Sequence, residues 1–479
     1  MHFSIPDTQE FSDDNGSNYT GYNIHINGMY HCTVRYKQLH SLNDQLKKLH
    51  GSNSLPPFPP KKLLPLSNNQ LEERRSFLEK YIQTVGQTAN LMNTEVFTGF
   101  LLSAQFESFS KTCEEVPIDV FLMNGYRITI NAFINESSDQ ILEKVCNQIN
   151  LPLKYMYYFC LFLIQREDNG DIVIVRRLQN FECPFISQKS IQVNTRVVLR
   201  KSYWDPAYDK YLMEDKTALN LIYTQAVSDI ERGWIYCNKD TQSHLATLQA
   251  RGAKLEYMEM AQTLKYYGYT QFKPCTCDYP SPGSHSIVSA GSRELSLRVK
   301  LSTGEMKEGS FKVTRMRCWR ITTHNEANDN SDENNTKNEE KNCSLELSFE
   351  YLIAKDKLQW ISIFSNQAIL MSVCLQSMVD ELLLKKTGLD IKQPNSLNKN
   401  ETFSYMKRDG SSHQICLSQS NSLDCLSNPV NGHIKSPTKS EPSMSMKKLS
   451  ERLSSVNVKT KVPPLVENYA FEGIGDDDL

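Results

Sequence analysis

Residues 55–75 read LPPFPPKKLLPLSNNQLEERR, and this stretch decides how the first part of the chain folds. The four prolines within residues 55–60 exclude a helix or a central strand, because proline fixes φ and lacks an amide N–H. We therefore predict a stiff, extended loop. Ser67 and Gln70 form a capping box, which predicts a helix directly after the loop. The stretch places four cations at the edges of these elements: Lys61, Lys62, Arg74 and Arg75.

The residues before the loop predict a β-hairpin and a helix. Asn27-Gly28 separates two alternating runs, and this dipeptide is the strongest short signal for a hairpin. The second run ends at Arg35-Tyr36. Apolar residues then recur at helical spacing up to Gly51, which is placed to end the helix; they are Leu39, Leu42, Leu46 and Leu49. A further helix around Phe97 completes the first predicted unit.

Arg35 and Tyr36 are candidates for a site that binds a phosphoinositide headgroup. Such a site needs a guanidinium for bidentate contact with phosphate, an aromatic wall beneath the inositol ring and further cations. Arg74 is unusual because a basic residue near a helix start opposes the helix dipole, which favours a role in ligand binding. Arginine and lysine are common on protein surfaces, so residue type alone does not define a site.

The order of these features resembles the phox-homology (PX) domain family. That resemblance implies a three-stranded sheet, a helical subdomain and a site for phosphatidylinositol 3-phosphate. On the matching positions, Arg35 would hold the 3-phosphate and Tyr36 would pack beneath the inositol ring. Lys61 would reach the 1-phosphate, and Arg74 would bind ring hydroxyls. Lys37 stands where the family often has serine, which removes a hydroxyl contact and adds a cation. The expected lipid site comprises Arg35, Tyr36, Lys37, Lys61, Lys62 and Arg74.

The rest of the chain predicts three more folded units and a tail, so the fold class is α+β multidomain. A second hairpin around Asn124-Gly125, a helix and further strands follow a ubiquitin-like order. An apolar stripe from Leu219 to Ile230 predicts a helical unit. Strands, one of them over residues 311–322, then precede a long helix capped by Ser365 or Asn366, which suggests a PH/PTB-like fold. The expected boundaries are 1–108 for the PX unit, 115–204 for the ubiquitin-like unit, 205–272 for the helical unit, 273–388 for the PH/PTB-like unit, 389–467 for a disordered linker and 468–479 for a terminal partner-binding segment.

Composition narrows the class of protein. The chain has 479 residues and a formal net charge of −2, which argues against nucleic-acid binding through bulk charge. Its 13 cysteines are scattered, which predicts free thiols in a reducing compartment and neither a zinc site nor another cofactor. The first residues lack the regions of a signal peptide, and no apolar run suffices for a membrane span. We expect a cytoplasmic protein whose membrane contact is peripheral.

A PX domain followed by ubiquitin-like, helical and PH/PTB-like units resembles the PX–FERM sorting nexins. The resemblance covers residues 1–386 and 468–479. It implies an endosomal adaptor that returns transmembrane receptors from early endosomes to the cell surface and spares them from lysosomal degradation. The chain also lacks the motifs of common catalytic sites, so we expect no enzymatic activity. FERM modules also occur in membrane–cytoskeleton linkers and signalling scaffolds, which form the alternative class.

The PH/PTB-like unit is where the resemblance implies binding of cargo. A groove between an edge strand and the C-terminal helix can take a peptide by β-augmentation. The expected ligands are Asn-Pro-x-Tyr or Asn-x-x-Tyr motifs in receptor tails of the low-density-lipoprotein-receptor and integrin types. The flanking Arg317 and Arg320 favour an exposed strand with Trp319 in the site, whereas Val379 fits a core position equally well. The expected cargo residues are Trp319, Arg320, Val379 and Leu383.

The terminal segment carries apolar residues that bring little benefit in solvent: Phe471, Ile474 and Leu479. The resemblance implies docking to the retriever complex of the Commander recycling machinery, with the Leu479 carboxylate central; a PDZ contact is the weaker alternative. Residues 468–471 also spell Asn-x-x-Phe, from Asn468 to Phe471. We hypothesise that this motif folds back into the Trp319 groove and blocks it until cargo competes.

The ubiquitin-like unit resembles Ras-associating domains in topology. Lys154, Arg176 and Arg177 could therefore meet an acidic Ras-like GTPase. Exposed charges on such a fold more often serve solvation alone.

Overall fold

The computed structural model describes residues 1–12, 16, 18–62, 64–110, 112–167, 170–191, 194–301, 304–325, 343–354, 357–388, 403–415 and 465–471. These residues form an N-terminal lobe (1–110), a ubiquitin-like lobe (112–204), a helical lobe (205–269) and a C-terminal lobe (270–388). Two later segments pack onto these lobes. Among the helices of these ranges, none combines the length and apolar character that a membrane span requires.

The N-terminal lobe packs an antiparallel sheet against helices. Asn27 and Gly28 have φ of 50° and 81°, so the predicted hairpin closes through a left-handed turn. The sheet has four strands because a two-residue strand joins the expected three. Its elements are β1 (Phe3–Ser4), β2 (Thr8–Ser12), β3 (Asn18–Ile26), β4 (Met29–Arg35), α1 (Tyr36–His50), α2 (Asn68–Gln87), α3 (Ala89–Met92) and α4 (Glu95–Phe109).

The ubiquitin-like lobe has a five-stranded mixed sheet in the order β6-β5-β9-β7-β8. Its first two strands form the hairpin predicted around Asn124-Gly125, and β5 pairs in parallel with β9. Its elements are β5 (Glu115–Phe121), β6 (Arg127–Phe133), α5 (Ser138–Gln148), β7 (Phe159–Arg166), β8 (Ile172–Arg177), α6 (Pro184–Lys189) and β9 (Thr195–Lys201). The four helices of the helical lobe follow: α7 (Ala207–Leu212), α8 (Lys216–Glu231), α9 (Lys239–Ala250) and α10 (Lys254–Ala261).

The C-terminal lobe is a long curved sheet closed by one helix. Its strands are β10 (Thr270–Gln271), β11 (Cys275–Cys277), β12 (Ser284–Gly291), β13 (Glu294–Lys300), β14 (Met306–Lys312), β15 (Met316–Asn325), β16 (Cys343–Ala354) and β17 (Lys357–Phe364). Helix α11 (Ala368–Lys386) closes the lobe and packs on β15 and β16. The order β14-β13-β12-β11-β17-β16-β15 leaves β15 at the end of the lobe's own strands.

Three local predictions are wrong. The strand expected over 311–322 is two strands, because a short 3₁₀ turn at Val313–Arg315 separates them. Helix α11 begins after Gln367 rather than after Ser365 or Asn366, and the Ser365 hydroxyl accepts the N–H of Gln367, the residue that precedes the helix. Leu49 is 48% exposed because the last turn of α1 leaves the core.

The expected disordered linker is also wrong over part of its length. Residues 403–415 form a hairpin of β18 (Phe403–Met406) and β19 (Ser412–Ile415), which packs on the N-terminal lobe. Further on, β20 (Val466–Glu467) pairs with β15 of the C-terminal lobe. Two regions expected to lack structure therefore supply strands to different lobes.

The N-terminal lobe packs directly on the ubiquitin-like and C-terminal lobes. Gln105 on α4 donates to Ser187 Oγ (2.9 Å) and accepts the Cys183 N–H (2.8 Å). On the other side, a Cβ placed on Gly28 would lie 2.8 Å from the Ile369 side chain at the start of α11. Both contacts position the first lobe against the rest of the molecule.

Candidate lipid and peptide sites

Arg35 stands where β4 passes into α1. Its guanidinium lies 3.7 Å above the Tyr19 ring, and Nη1 donates to the main-chain carbonyl of Arg408 at 2.9 Å. The neighbouring Tyr36 is the first residue of α1. Because the backbone changes from strand to helix between them, the Arg35 and Tyr36 side chains point in different directions. Stacking and one hydrogen bond thus fix the plane of the guanidinium.

Tyr36 and Arg74 meet across the proline loop. The Arg74 guanidinium lies 4.4 Å above the Tyr36 ring. Tyr36 Oη donates to the Pro59 carbonyl (2.6 Å), and Arg74 Nη2 reaches the Pro60 carbonyl (3.4 Å). The loop that the prolines stiffen is therefore held by the two residues expected to bind the inositol ring, and Lys61 follows directly after Pro60.

The remaining cations of the expected lipid site are placed less tightly. Lys61 and Lys62 are exposed on the loop. Lys37 is half-buried, and its ammonium lies beside Gly410 in the hairpin of residues 403–415. A Cβ placed on Gly410 would lie 2.8 Å from Lys37 Nζ. The structure therefore brings Tyr36 and Arg74 into contact and leaves the lysines at the rim.

The electrostatics of this cluster favour an anion. Burial raises the pKa of the Tyr36 and Tyr22 hydroxyls, while the nearby Arg74 pulls both values down. Both phenols therefore stay neutral at physiological pH. They add no negative charge that would compensate the positive charges of Arg35 and Arg74.

The second candidate site is the outer edge of β15. Strand β20 adds to it in antiparallel register, with Val466 opposite Trp319 and Glu467 opposite Cys318. Asn468 is 3% exposed, and its N–H donates to the Arg317 carbonyl (3.1 Å). A segment of the chain itself therefore occupies this edge by β-augmentation.

Asn468 binds the turn that precedes β15. Its Nδ2 donates to the carbonyls of Val313 (2.8 Å) and Met316 (2.7 Å). Its Oδ1 accepts the Ala470 N–H at 3.0 Å, and the Phe471 N–H returns to the Asn468 carbonyl at 3.0 Å. The segment from Asn468 to Phe471 is thus an Asx turn that buries Ala470 and points Tyr469, 66% exposed, into solvent.

The side chains expected to line the cargo groove are mostly core. Trp319 is fully buried with β20 in place, and its indole Nε1 donates to Ser372 Oγ on α11 at 3.0 Å. Val379 is also buried, while Leu383 packs partly buried against the same core. The expectation that Trp319 is exposed is wrong, because Trp319 points toward α11 while Arg320 lies over Trp360.

The arginines of β15 engage the sheet. Arg320 stacks over the Trp360 ring at 4.6 Å, and Arg317 forms an ion pair with Glu350. Strand alternation places Arg320 on the face opposite Trp319 and α11. The hydrogen bonds that hold residues 466–468 at this edge therefore go to the β15 backbone and to the carbonyls of residues 313–317, and a cargo role for Trp319, Arg320, Val379 and Leu383 stays a prediction.

One of the three cations expected to meet a GTPase on the ubiquitin-like lobe, Arg176, is not accessible for such a contact. Arg176 is buried and forms an ion pair with Glu182. Lys154 is exposed and stacks over Tyr155 at 4.6 Å. Of the terminal residues, Phe471 is described, whereas Ile474 and Leu479 lie outside the described residues.

Four family models match the chain in the order of its lobes. The PX domain matches residues 22–104, and the F1 lobe of the FERM domain of sorting nexins 17, 27 and 31 matches 116–204. The F2 lobe of sorting nexins 17 and 31 matches 205–265, and the sorting nexin 17 FERM C-terminal domain matches 268–383. These matches confirm the fold class predicted from the sequence.

Full-length relatives extend the match to the whole chain. Sorting nexin-17 of Danio rerio is 46% identical over 480 residues, which cover 100% of both proteins. The chain belongs to the sorting nexin-17 family. Sorting nexin-17 of Homo sapiens is 43% identical over 489 residues and 100% of both proteins. Human sorting nexin-31 is 35% identical over 89% of this chain and 98% of its own length.

Membership of the sorting nexin-17 family, together with PX and FERM lobes, supports a role in endosomal sorting. Sequence reasoning missed two parts of the site in this member of the family. Tyr19 and Arg408 both contact the Arg35 guanidinium. The alternation of residues 403–406 was a signal for a strand, but its distance from β4 in sequence gave no reason to connect them.

Proposed function

We propose that this chain is a non-enzymatic endosomal adaptor. It binds phosphatidylinositol 3-phosphate through the N-terminal lobe and Asn-Pro-x-Tyr or Asn-x-x-Tyr motifs of receptor tails at the β15 edge. It acts peripherally on the cytoplasmic side of the early endosome and promotes recycling of those receptors to the cell surface. The observation that carries the proposal is the turn from Asn468 to Phe471, an Asn-x-x-aromatic segment that already occupies this edge.

The lipid half of the proposal rests on the cluster around Tyr36. Arg74 above the Tyr36 ring and Arg35 on the next element supply two guanidinium groups, which suit phosphate and hydroxyl groups of an inositol ring. Lys61, Lys62 and Lys37 add charge at the rim. One headgroup gives reversible attachment, so a bound receptor tail would supply the second anchor.

The peptide half of the proposal rests on backbone geometry. The carbonyls of Val313 and Met316 accept the Asn468 side-chain amide, which gives the edge selectivity for asparagine. A receptor tail with asparagine at the same point of its turn can make the same bonds. The tail segment and cargo then compete for one edge, and the tail masks the site until cargo displaces it.

The terminal residues give the adaptor a further partner. We propose that Phe471, with Ile474 and Leu479, recruits the retriever complex of the Commander machinery. Phe471 is only partly buried beside β15, so an aromatic side chain remains within reach of a partner.

Vesicle flotation tests the lipid assignment. Wild-type chain is expected to float with vesicles that contain phosphatidylinositol 3-phosphate, and Arg35→Ala to stay in the lower fractions. Lys80→Ala is the matched control, since it removes an exposed charge from the same lobe without touching the cluster. A preference of the wild type for phosphatidylinositol 4,5-bisphosphate would instead favour a plasma-membrane linker.

A further inference from the structure

The hairpin of residues 403–415 is built into the N-terminal lobe. Phe403 and Tyr405 are each 3% exposed and belong to the core of that lobe. The Phe403 ring packs directly on Gly99 of α4. No larger residue fits there without a shift, because a Cβ placed on Gly99 would lie 2.3 Å from the Phe403 ring. Tyr405 packs against Phe100 with ring centroids 5.9 Å apart. The hairpin therefore contributes two aromatic side chains to the core of the lobe.

Hydrogen bonds fix the register of the hairpin on α1 and α4. Gln45 accepts the Ser404 N–H (3.0 Å) and donates to the Ser404 carbonyl (2.7 Å). Gln38 donates to the Met406 carbonyl (2.9 Å). Glu107 accepts the Tyr405 hydroxyl (2.6 Å) and the Arg408 N–H (2.8 Å). The turn of the hairpin is therefore held at one position along β4.

Arg408 anchors that turn beside the candidate lipid site. Its guanidinium donates to the Thr33 carbonyl at 2.8 Å and to the Ser108 hydroxyl. With the side chain fixed in this way, the Arg408 carbonyl accepts Nη1 of Arg35 at 2.9 Å. Tyr19 lies against the face of the same Arg35 guanidinium at 3.7 Å. Arg35 is thus held by a ring from one side and by a carbonyl of residue 408 at one edge.

We propose that residues 403–415 complete the phosphoinositide-binding lobe and that Arg408 is a positioning residue for Arg35. The inference rests on the proposed binding of phosphatidylinositol 3-phosphate through Arg35. A guanidinium that is already oriented loses less side-chain freedom when it binds phosphate, so the hairpin raises lipid affinity without touching the lipid. One edge of Arg35 bonds to residue 408, and bidentate contact with phosphate uses another edge.

The experiment compares five full-length proteins in flotation with graded phosphatidylinositol 3-phosphate: wild type, Arg35→Ala, Arg408→Ala, Arg408→Lys and Lys407→Ala. Arg408→Ala is expected to bind about fivefold more weakly, which corresponds to the loss of one net hydrogen bond. Lys407→Ala removes the same charge from the neighbouring residue, whose backbone closes the turn with Ser411, and is expected to bind like the wild type. Arg408→Lys keeps a donor for the Thr33 carbonyl and is expected to recover part of the affinity.

A further variant, at Gly99, displaces the hairpin from the α4 surface on which Phe403 packs. Gly99→Ala adds a methyl group where the Phe403 ring lies, while alanine suits helix α4 better than glycine does. Gly99→Ala is expected to weaken lipid binding as Arg408→Ala does. Amide exchange at residues 33–38 is expected to be faster in both variants than in the wild type. The lipid readout separates positioning from a purely structural role, since a stabilising hairpin alone would change exchange and leave affinity intact.

The outcomes separate the two proposals. If Arg35→Ala abolishes binding while Arg408→Ala and Gly99→Ala bind like the wild type, the positioning role is overturned and the lipid site stands. Tighter binding by Arg408→Ala, or equal losses in Arg408→Ala and Lys407→Ala, also overturns it, because the turn would then block the site or act by charge alone. If the wild type ignores phosphatidylinositol 3-phosphate, or Arg35→Ala binds as well as the wild type, the proposed function fails and the inference fails with it.

Discussion

Arg74 and Arg75 are neighbours on α2 whose guanidinium groups meet different partners. Arg74 lies above Tyr36, at the candidate lipid site. Arg75 is buried, where it bonds Glu72 (2.9 Å), Glu79 (3.2 Å) and the Ile5 carbonyl. The sequence placed both at the helix start, but helical geometry turns successive side chains by about 100°. Arg74 therefore faces Tyr36 and the candidate lipid site, and Arg75 faces the core.

Alanine substitutions of this pair should separate stability from lipid binding. Arg75→Ala should lower the free energy of unfolding by about 2 kcal/mol, because Glu79 and the Ile5 carbonyl lose a charged partner. Arg74→Ala should change it by less than about 0.5 kcal/mol, yet weaken binding to 3-phosphoinositide vesicles about tenfold. Urea unfolding and flotation measure the two effects. Equal stability losses in both variants would contradict the assigned roles.

His31 links the N-terminal lobe to the ubiquitin-like lobe. It is buried, Nε2 donates to the Leu101 carbonyl at 3.0 Å, and its ring meets Phe181 edge-on at 6.0 Å. Burial, with a smaller contribution from the positive charge of Arg176, lowers the pKa of His31 to about 3, although the hydrogen bond to the Leu101 carbonyl acts in the opposite direction. The folded protein therefore holds this imidazole neutral.

The pH dependence of stability follows from that shift. The pKa of an unfolded histidine is about 6.5, so the stabilisation by neutral His31 is complete above that pH and is lost as pH falls toward 3. At pH 5 the loss is on the order of 2 kcal/mol. His31→Gln does not titrate and should show a smaller drop in unfolding free energy between pH 7 and pH 5. Identical drops in the two proteins would rule out this role for His31.

At the scale of elements, β20 and the turn after it act as an internal ligand of β15. Asn468→Ala removes the bonds to the Val313 and Met316 carbonyls and should release the segment. An Asn-Pro-x-Tyr peptide should then bind about tenfold more tightly in fluorescence anisotropy. Tyr469→Ala is the control, since this side chain points into solvent in the same segment. Unchanged affinity in Asn468→Ala would show that the segment does not compete.

Elements with short-range signals were predictable from the sequence. The hairpins at Asn27-Gly28 and Asn124-Gly125 and the capping box at Ser67 each depend on a few neighbouring residues. The hairpin of residues 403–415 was not predictable, because its partners lie far away in sequence; Tyr405 and Glu107 are 298 residues apart. Alternation alone cannot tell which lobe such a hairpin completes.

The residues of the candidate sites also differ in how far the sequence predicted their surroundings. The PX resemblance groups Tyr36 with Arg74, and the two side chains are in contact in the structure, whereas Trp319, expected to be exposed because of its flanking arginines, is buried. A strand has two faces, so Arg320 can lie over Trp360 while Trp319 lies against α11. The hydrogen bonds at the β15 edge are made by backbone groups, and backbone groups leave no residue pattern in a single sequence.

At the scale of the whole molecule, helix α11 connects the candidate sites. Its Ser372 binds the Trp319 indole beside the peptide edge. Its Glu381 accepts the N–H groups of Trp204 (2.7 Å) and Asp205 (2.8 Å) at the junction with the ubiquitin-like and helical lobes. Its first turn meets the Asn27-Gly28 hairpin through Ile369. If both candidate sites bind as proposed, these contacts of α11 would let one chain hold a receptor tail close to the membrane from which it emerges.

The most direct test of the central claim is co-flotation of a labelled Asn-Pro-x-Tyr peptide with vesicles containing phosphatidylinositol 3-phosphate. We expect the peptide to float only when full-length chain is present, to float in larger amount with Asn468→Ala, and to stay in the lower fractions with Arg35→Ala. If the wild-type and Asn468→Ala chains float and the peptide remains below with both, the β15 edge is not a receptor-tail site and the account is wrong.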